Sequence, residues 1–422
     1  MLGPAAGVWA RPLEGPPPGL AELLPAPRVE AAGAVLAEAV SGQILALQDP
    51  DESRPPASLA KLMTLRLAWQ ALTRGEIEPG ELVIVSENAW RTPGSRMFIE
   101  VGERVSVADL LRGIAIASGN DAAVALAERL AGTEEAFVAR MNAEAARLGL
   151  ADTRFADSHG LAGTEAGAAT TALDVARLAV QYLRDHPQSL ELHSTRRVTY
   201  GLSPGGIPIT QENRNRLLWR YEGVDGLKTG FIAEAGYHLV ATAEREGMRL
   251  VAVILGAPSE AAREAQAATL LDYGFANFTL LDVGRQLEPH GLARVWRGKE
   301  NWVRVAPDDI TRVTVPRRQA GMVEVDVHPR EHLFAPVRRG QAVADAVIRL
   351  DGMELRRIVL RAEEDVERGG WWKMATDTLR FFWLRFTRRL EPLPGEGTTP
   401  AVAEVAAGRQ SGLGRDRHWV TS

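Results

Sequence analysis

Apolar residues along this chain follow two rhythms, and the changes between them mark out the fold. After a proline-rich start, residues 34–39 and 43–47 are apolar runs separated by Val40-Ser41-Gly42, which predicts a β-hairpin. Pro55-Pro56 ends the extended stretch. From Ser58 onward, Leu59, Leu62, Met63, Leu65, Ala68, Trp69 and Leu72 recur at helical spacing and place Ser58 in the first turn of a buried helix. Helical spacing continues through residues 107–117 and 122–148, with Ser118-Gly119-Asn120 as the turn between. Residues 237–243 and 249–255 read as strands joined by a short charged connection containing Gly247, and a helix is expected over 260–273.

Beyond about residue 280 the runs become short and alternating, at 312–315, 323–327 and 346–350, as in a small all-β domain. Gly369-Gly370 then introduces residues 371–390. Here Trp371, Trp372, Ala375, Leu379, Phe382, Trp383, Phe386 and Leu390 share one broad helical face, and Lys373, Arg380, Arg385, Arg388 and Arg389 supply positive charge. The expected organisation is a leader over 1–27, a main domain over 28–279, a small β domain over 280–368, an amphipathic helix over 369–390 and a disordered tail over 391–422.

Composition narrows the class. A chain of 422 residues exceeds what one core usually serves, and 45% hydrophobic with 24% charged residues is ordinary for a soluble globular protein. The net charge of -5 argues against a general nucleic-acid binder. Cysteine is absent, which removes disulfides and thiolate metal sites and is compatible with an oxidising compartment. No stretch has the length and apolarity of a spanning helix. Gly7-Val8-Trp9-Ala10, followed by the polar, proline-rich residues 11–18, reads as the end of an export signal, so the first residues are expected to be a signal-peptide remnant.

Three short motifs carry the chemistry: Ser58-Leu59-Ala60-Lys61, Ser118-Gly119-Asn120 and Lys228-Thr229-Gly230. A serine hydroxyl needs a base before it can attack an amide at neutral pH, and a lysine three residues on along a helix lies on the same face. The second motif adds a hydroxyl and an amide. The third adds a cation, a hydroxyl and a glycine that permits close backbone approach. Free N–H groups at the start of the Ser58 helix would sit beside a developing oxyanion. Lys61 can act as base only when neutral, which means lowering its pKa from near 10.4 to about 7, a differential cost of roughly 4 kcal/mol. Burial and Lys228 nearby are the expected causes.

The conjunction of these motifs resembles the low-molecular-mass penicillin-binding proteins that act as D-alanyl-D-alanine carboxypeptidases. The likeness runs through Pro55-Pro56-Ala57-Ser58-Leu59-Ala60-Lys61-Leu62-Met63-Thr64, Ser118-Gly119-Asn120-Asp121-Ala122-Ala123, Ser158-His159-Gly160-Leu161, Asn213-Arg214-Asn215 and Val224-Asp225-Gly226-Leu227-Lys228-Thr229-Gly230. It continues through Ala335-Pro336-Val337, Arg339-Gly340-Gln341 and the approach to the terminal helix. The resemblance implies an α/β catalytic domain of the β-lactamase/transpeptidase-like type, an antiparallel sheet flanked by helices, followed by a small all-β sandwich and a C-terminal amphipathic helix.

The resemblance also implies roles. Ser58 is acylated, Lys61 is the base and Ser118 relays a proton to the departing D-alanine. Asn120 holds the substrate backbone, Lys228 sets the positive potential, and Thr229 with Arg214 binds the terminal carboxylate. Gly230 lets the strand approach, and the N–H groups of Ser58 and Phe231 form the oxyanion hole. The implied partners are the peptidoglycan stem peptide, β-lactams as acylating inhibitors, and a membrane surface met through the helix from Trp371 to Leu390 on the outer face of the cytoplasmic membrane. No cofactor, metal or nucleic acid is implied, and the sequence leaves the oligomeric state open. His159 is placed outside the catalytic set, as a packed or loop histidine. Phe231 and Ile232 replace a polar pair often found after the third motif, which bears on substrate preference.

Competing chemistries are weaker. His328-Pro329-Arg330-Glu331-His332 fits a zinc-peptidase spacing, but such a site needs both histidines on one helical face and this segment follows a strand pattern. A class A β-lactamase needs a glutamate-activated water, and no E-x-x-L-N segment follows Ser118-Gly119-Asn120, so slow release of β-lactam adducts is expected. A transpeptidase differs only in the acyl acceptor. A non-catalytic peptidoglycan-binding protein would keep the fold without turnover.

Overall fold

In the computed structural model, Leu13 and residues 24–202, 206–330 and 332–387 are described. The signal remnant around Gly7-Val8-Trp9-Ala10, Glu331, Arg388 to Leu390 and the tail over 391–422 lie outside the described residues. The chain divides into two units, Met1–Leu280 and Leu281–Ser422.

The first unit is built on a five-stranded antiparallel sheet of β1 (Gly33–Glu38), β2 (Ile44–Gln48), β3 (Val224–Ile232), β4 (Gly236–Arg245) and β5 (Met248–Ala257), in the order β2-β1-β5-β4-β3. The predicted hairpin is β1–β2, with Leu36 opposite Ala46. Because side chains alternate across a strand, β4 and β5 feed two separate cores. Val240, Val251, Val253 and Leu255 pack with the helical part of the unit, whereas Leu239, Ala241, Leu250, Ala252 and Ile254 pack on the other face against the helix α3 (Glu260–Asn277). Each of these fully buried branched side chains contributes about 1.5–3 kcal/mol. Strand β3 lies at the edge of the sheet, with no further strand paired to its outer side among the described residues.

The helical part begins with a 3-10 turn, Ala57–Leu59, that runs into α1 (Ala60–Thr73). The expected helix over 107–117 is an α-helix, Val107–Arg112, continued by a π-helical turn, Gly113–Ala117. The apolar run over 122–148 is two helices, α2 (Asn120–Ala131) and one over Glu134–Arg147. The break is local chemistry. Gly132 takes φ +84°, and the Thr133 hydroxyl caps the second helix by accepting from Ala136 N at 3.1 Å.

The second unit holds a six-stranded sheet, with β6 (Leu292–Trp296), β7 (Trp302–Pro307), β8 (Val323–Pro329), β9 (Leu333–Phe334), β10 (Ala342–Leu350) and β11 (Met353–Ala362) in the order β8-β10-β11-β7-β6-β9. A further strand, Arg312–Pro316, sends Val313 and Val315 into the same core. The terminal helix α4 (Trp371–Phe386) docks one face on this unit through Asp377, Phe381 and Leu384. Phe381 meets Trp296 edge-on at 5.2 Å, and Asp377 accepts from the backbone N–H of Arg297 at 2.8 Å and from Lys373 at 2.7 Å. Trp371, Trp372, Leu379, Phe382, Trp383 and Phe386 remain exposed, the last at 89%. At 100° per residue these six fall on about one third of the circumference, away from the docked face. His328 lies within β8 and His332 packs against Phe381 at 5.0 Å, so the zinc-peptidase spacing does not fall on a helical face.

Candidate active site

The 3-10 turn presents Ser58 at the mouth of α1, and Lys61 follows one turn later. Lys61 is fully buried, and its ammonium nitrogen donates to three oxygens: Ser58 Oγ at 3.1 Å, Asn120 Oδ1 at 2.7 Å and the His159 carbonyl at 2.7 Å. Burial lowers the Lys61 pKa to about 7, against the opposing pull of the Asp157 and Asp121 carboxylates. A neutral amine with a lone pair near Ser58 is therefore accessible at physiological pH.

Ser118 closes the π-helical turn in the left-handed region, φ +60°, and Ala57 just before the nucleophile has φ +47°. Such conformations cost of order 1–3 kcal/mol each and persist only where the surroundings hold them. Lys228 Nζ bonds Ser118 Oγ at 2.9 Å and the Thr229 carbonyl at 3.0 Å. Its pKa is pushed well below the usual lysine range, first by burial and then by the charges of Lys61, Arg214 and Arg263. Asn120 is fixed from the other side, since its Nδ2 donates to the Pro93 carbonyl at 2.6 Å.

Strand β3 passes close to the nucleophile at Gly230. A Cβ there would lie 3.3 Å from both the Ser58 nitrogen and Ala57 Cβ, so the lack of a side chain is what admits the approach. Thr229 is buried beside it, Phe231 is half exposed, and Arg214 is exposed with no ion-pair partner among the described residues. The nine residues singled out from sequence thus lie on four segments: the α1 entry, the turn before α2, the Asn213-Arg214-Asn215 stretch and β3. Hydrogen bonds link Ser58, Lys61 and Asn120, and separately Ser118 and Lys228. No bond joins Arg214 to either set.

Several supports are not evident from the motifs. His159 touches the site through its backbone carbonyl, whereas its ring accepts from Leu161 N at 3.2 Å. Asp157 organises that loop by accepting from the N–H groups of His159, Gly160 and Ala162. The carboxylate of Asp121 gathers Met97 N at 2.8 Å and Phe98 N at 2.9 Å, holding the segment that runs beside Asn120. Two buried histidines brace the walls. A carbonyl can only accept, so His193 donates Nδ1–H to Leu227 O (3.1 Å) and takes the Tyr182 hydroxyl at Nε2 (3.0 Å). His238 accepts from Gly256 N at Nδ1 and donates Nε2–H to Pro55 O, 3.1 Å away. Burial lowers both pKa values to about 4, so the rings are neutral at pH 7. Only the alternation of β4 hints at His238, an inward polar residue in an apolar strand.

Gly160 gives a direct test of this packing. It has φ +83°, and a Cβ would fall 1.7 Å from the Ala57 carbonyl oxygen. Gly160→Ala is expected to cost about 3 kcal/mol or more and to displace the nucleophile turn, read as a lower Tm together with slower acylation by a fluorescent penicillin. An unchanged Tm would show that the loop does not press on the turn.

Comparison with known proteins bears on this geometry. The D-alanyl-D-alanine carboxypeptidase model matches residues 21–259, and the penicillin-binding protein 5 C-terminal domain matches residues 275–368. The chain is 38% identical over 360 residues to D-alanyl-D-alanine carboxypeptidase DacC of Escherichia coli (strain K12), covering 83% of this chain and 88% of that protein. It is 35% identical over 342 residues to DacF of Bacillus subtilis (strain 168), covering 81% and 87%. Among solved structures, penicillin-binding protein 5 from Haemophilus influenzae superposes with a TM-score of 0.74 at 35% identity, over 81% of this chain and 99% of that one. Penicillin-binding protein D2 from Listeria monocytogenes, solved in an ampicillin-bound form, matches at 33% identity with a TM-score of 0.53, over 60% of this chain and all (100%) of that one. On a match spanning more than half its length, this chain belongs to the D-alanyl-D-alanine carboxypeptidase family of serine peptidases.

Proposed function

We propose that the protein removes the terminal D-alanine from peptidoglycan stem pentapeptides through an acyl-enzyme on Ser58. The observation that carries this reading is the Lys61 nitrogen, fully buried and 3.1 Å from Ser58 Oγ. Ser58 Oγ attacks the carbonyl carbon of the penultimate D-alanine while neutral Lys61 takes its proton. The resulting oxyanion is held by the N–H groups of Ser58 and Phe231, and losing one such donor typically costs roughly a hundredfold to a thousandfold in rate. The C–N bond then breaks as Ser118, in contact with Lys228, passes a proton to the leaving amine and takes in its place the proton that Lys61 received from Ser58. Water then attacks the ester, giving a proton to neutral Lys61, which returns it to Ser58 Oγ as the acyl C–O bond breaks. The substrate carboxylate lies at Thr229, Arg214 and Lys228, and Asn120 bonds the backbone of the acyl part.

The hydrogen bonds among Ser58, Lys61, Asn120, Ser118 and Lys228 support these roles, and so does the close pass of Gly230. Residues 28–279 act as the peptidase domain and 280–368 as the accessory β domain. β-Lactams acylate the same serine. D-Alanine release from a pentapeptide ending in D-Ala-D-Ala tests the reading: stoichiometric, Ser58-dependent release supports it. A protein that neither releases D-alanine nor forms a penicillin adduct would instead be a binding module.

The terminal helix Trp371–Phe386 rests on the outer face of the cytoplasmic membrane, against anionic lipid. Its exposed aromatic arc, with Arg385 beside it, supports this placement. Replacing Trp372, Phe382, Trp383 and Phe386 together by serine leaves the docked face intact and is expected to weaken partitioning onto anionic liposomes by roughly a hundredfold, with hydrolysis of a soluble peptide unchanged. Undiminished partitioning would refute the anchor.

A further inference from the structure

We propose that Asp157 is a positioning residue for acylation: by fixing the backbone carbonyl of His159, it aims the lone pair of Lys61 at the Ser58 hydroxyl. The inference rests on the acyl-enzyme reading above and adds to it a residue that bonds neither Ser58 nor Lys61.

Hydrogen-bond polarity decides where that lone pair points. Lys61 Nζ has three oxygens in reach, Ser58 Oγ at 3.1 Å, Asn120 Oδ1 at 2.7 Å and the His159 carbonyl at 2.7 Å. A neutral amine has two N–H groups and one lone pair to distribute among them. The His159 carbonyl can only accept. So can Asn120 Oδ1, and the amide is held in that sense because its Nδ2 donates to the Pro93 carbonyl at 2.6 Å. Ser58 Oγ is the one of the three that can donate. With both N–H groups taken by the two carbonyl oxygens, the lone pair faces the proton it has to remove. If the His159 carbonyl moves away, an N–H can turn to Ser58 instead, and the amine becomes a donor where a base is required.

Asp157 holds that carbonyl from behind. Residue 158 is pinned from outside the loop: Ser158 N and Oγ donate to Glu134 Oε1 at 2.9 and 2.6 Å, and its carbonyl accepts from Thr64 Oγ1 at 2.5 Å. Beyond it the backbone turns on the Asp157 carboxylate. Oδ1 accepts from the N–H groups of His159, at 3.0 Å, and Gly160, and Oδ2 accepts from that of Ala162 at 2.7 Å. The His159 carbonyl and the Gly160 N–H are opposite ends of one planar trans peptide unit, so Lys61 and Asp157 grip the same rigid group from its two sides.

The carboxylate also has an electrostatic effect of opposite sense. Its charge favours the ammonium form of Lys61, as does that of Asp121, whereas Lys61 and Lys228 oppose each other's charge. The His159 ring, 3.4 Å from Asp157 and 3.8 Å from Glu134, has its pKa lowered chiefly by burial. Position and charge at residue 157 therefore leave different marks on a pH profile, one on the plateau and the other on its midpoint.

The test follows acylation of the full chain by fluorescent penicillin between about pH 5.5 and 9, with kcat and KM for a peptide ending in D-Ala-D-Ala. Asp157→Ala frees the carbonyl and is expected to lower the high-pH plateau by about tenfold to a hundredfold, with KM held within about threefold. Asp157→Asn keeps an oxygen for the His159 and Gly160 N–H groups but no charge. Its plateau should stay within about threefold of wild type, and its half-maximal pH should fall, because the neutral form of Lys61 then appears at lower pH. An Asp157→Ala plateau within about threefold of wild type, or a raised KM with kcat unchanged, overturns the proposal. So does an Asp157→Asn variant that loses as much as Asp157→Ala with an unmoved midpoint, the outcome of a merely structural role. Should Asp157→Ala fail to fold, as its Tm would show, Asp157→Asn decides alone. A wild type that never labels would take the acyl-enzyme reading down as well, whereas a labelling wild type whose profile is indifferent to residue 157 sinks this inference alone.

Discussion

Ser58→Ala is expected to abolish covalent labelling by fluorescent penicillin and to lower D-alanine release by at least about 10,000-fold. Among the described residues no other hydroxyl is hydrogen-bonded to Lys61 Nζ. Ser118 Oγ is 2.9 Å from Lys228, but it leads the turn into α2, whereas Gly230 makes its close pass at the backbone nitrogen of residue 58. The variant should fold, because the change removes one oxygen whose partner, Lys61, keeps Asn120 and the His159 carbonyl as acceptors. It should therefore still bind peptide while failing to turn it over. Labelling that survives in Ser58→Ala with its wild-type rate would move the nucleophile elsewhere.

Lys61→Arg is the second large effect. A guanidinium retains the charge and hydrogen-bonding capacity of a lysine but does not deprotonate in a protein, so it cannot accept the Ser58 proton. Acylation is expected to fall by about a thousandfold or more, within the range for loss of a general base. The pH profile supplies a second signature. Burial sets the Lys61 pKa at about 7, so the active neutral form is scarce below that pH and dominant above it. Acylation by the wild type should rise about tenfold per pH unit up to about 7 and then level off, and Lys61→Arg should lose that rise. Time courses of penicillin labelling between about pH 5.5 and 8.5 measure both. A wild-type profile still climbing steeply through pH 9 would mean that Lys61 remains charged in the site.

Much of this architecture can be read from the chain, and the reasons are local. The runs around Leu36, Val240 and Val253 alternate or cluster as strands do, and β1, β4 and β5 follow them. The run at residues 122–148 looks continuous because its apolar spacing barely changes phase at Gly132-Thr133, where a positive φ and a hydroxyl cap divide it into two helices. At the site, the three motifs name side chains, but a backbone carbonyl has no sequence signature. That is why His159 is misleading: its ring draws attention, while its carbonyl makes the contact with Lys61. Long-range braces such as His193 on Leu227, 34 positions away, depend on topology rather than spacing. The terminal helix shows the same limit. Its amphipathic pattern identifies an apolar arc, but the second, docked face built on Phe381 and Asp377 requires Trp296 and Arg297 from a distant strand and turn.

In the proposed mechanism the Ser58 oxygen becomes the ester oxygen of an acyl-enzyme. Trapping the protein with penicillin, digesting it and sequencing the modified peptide by mass spectrometry addresses this directly. One adduct per chain is expected, on the peptide containing Ser58, with none in Ser58→Ala. An adduct mapped to Ser118 or Thr229, or penicillin turned over with no covalent species formed, would contradict it.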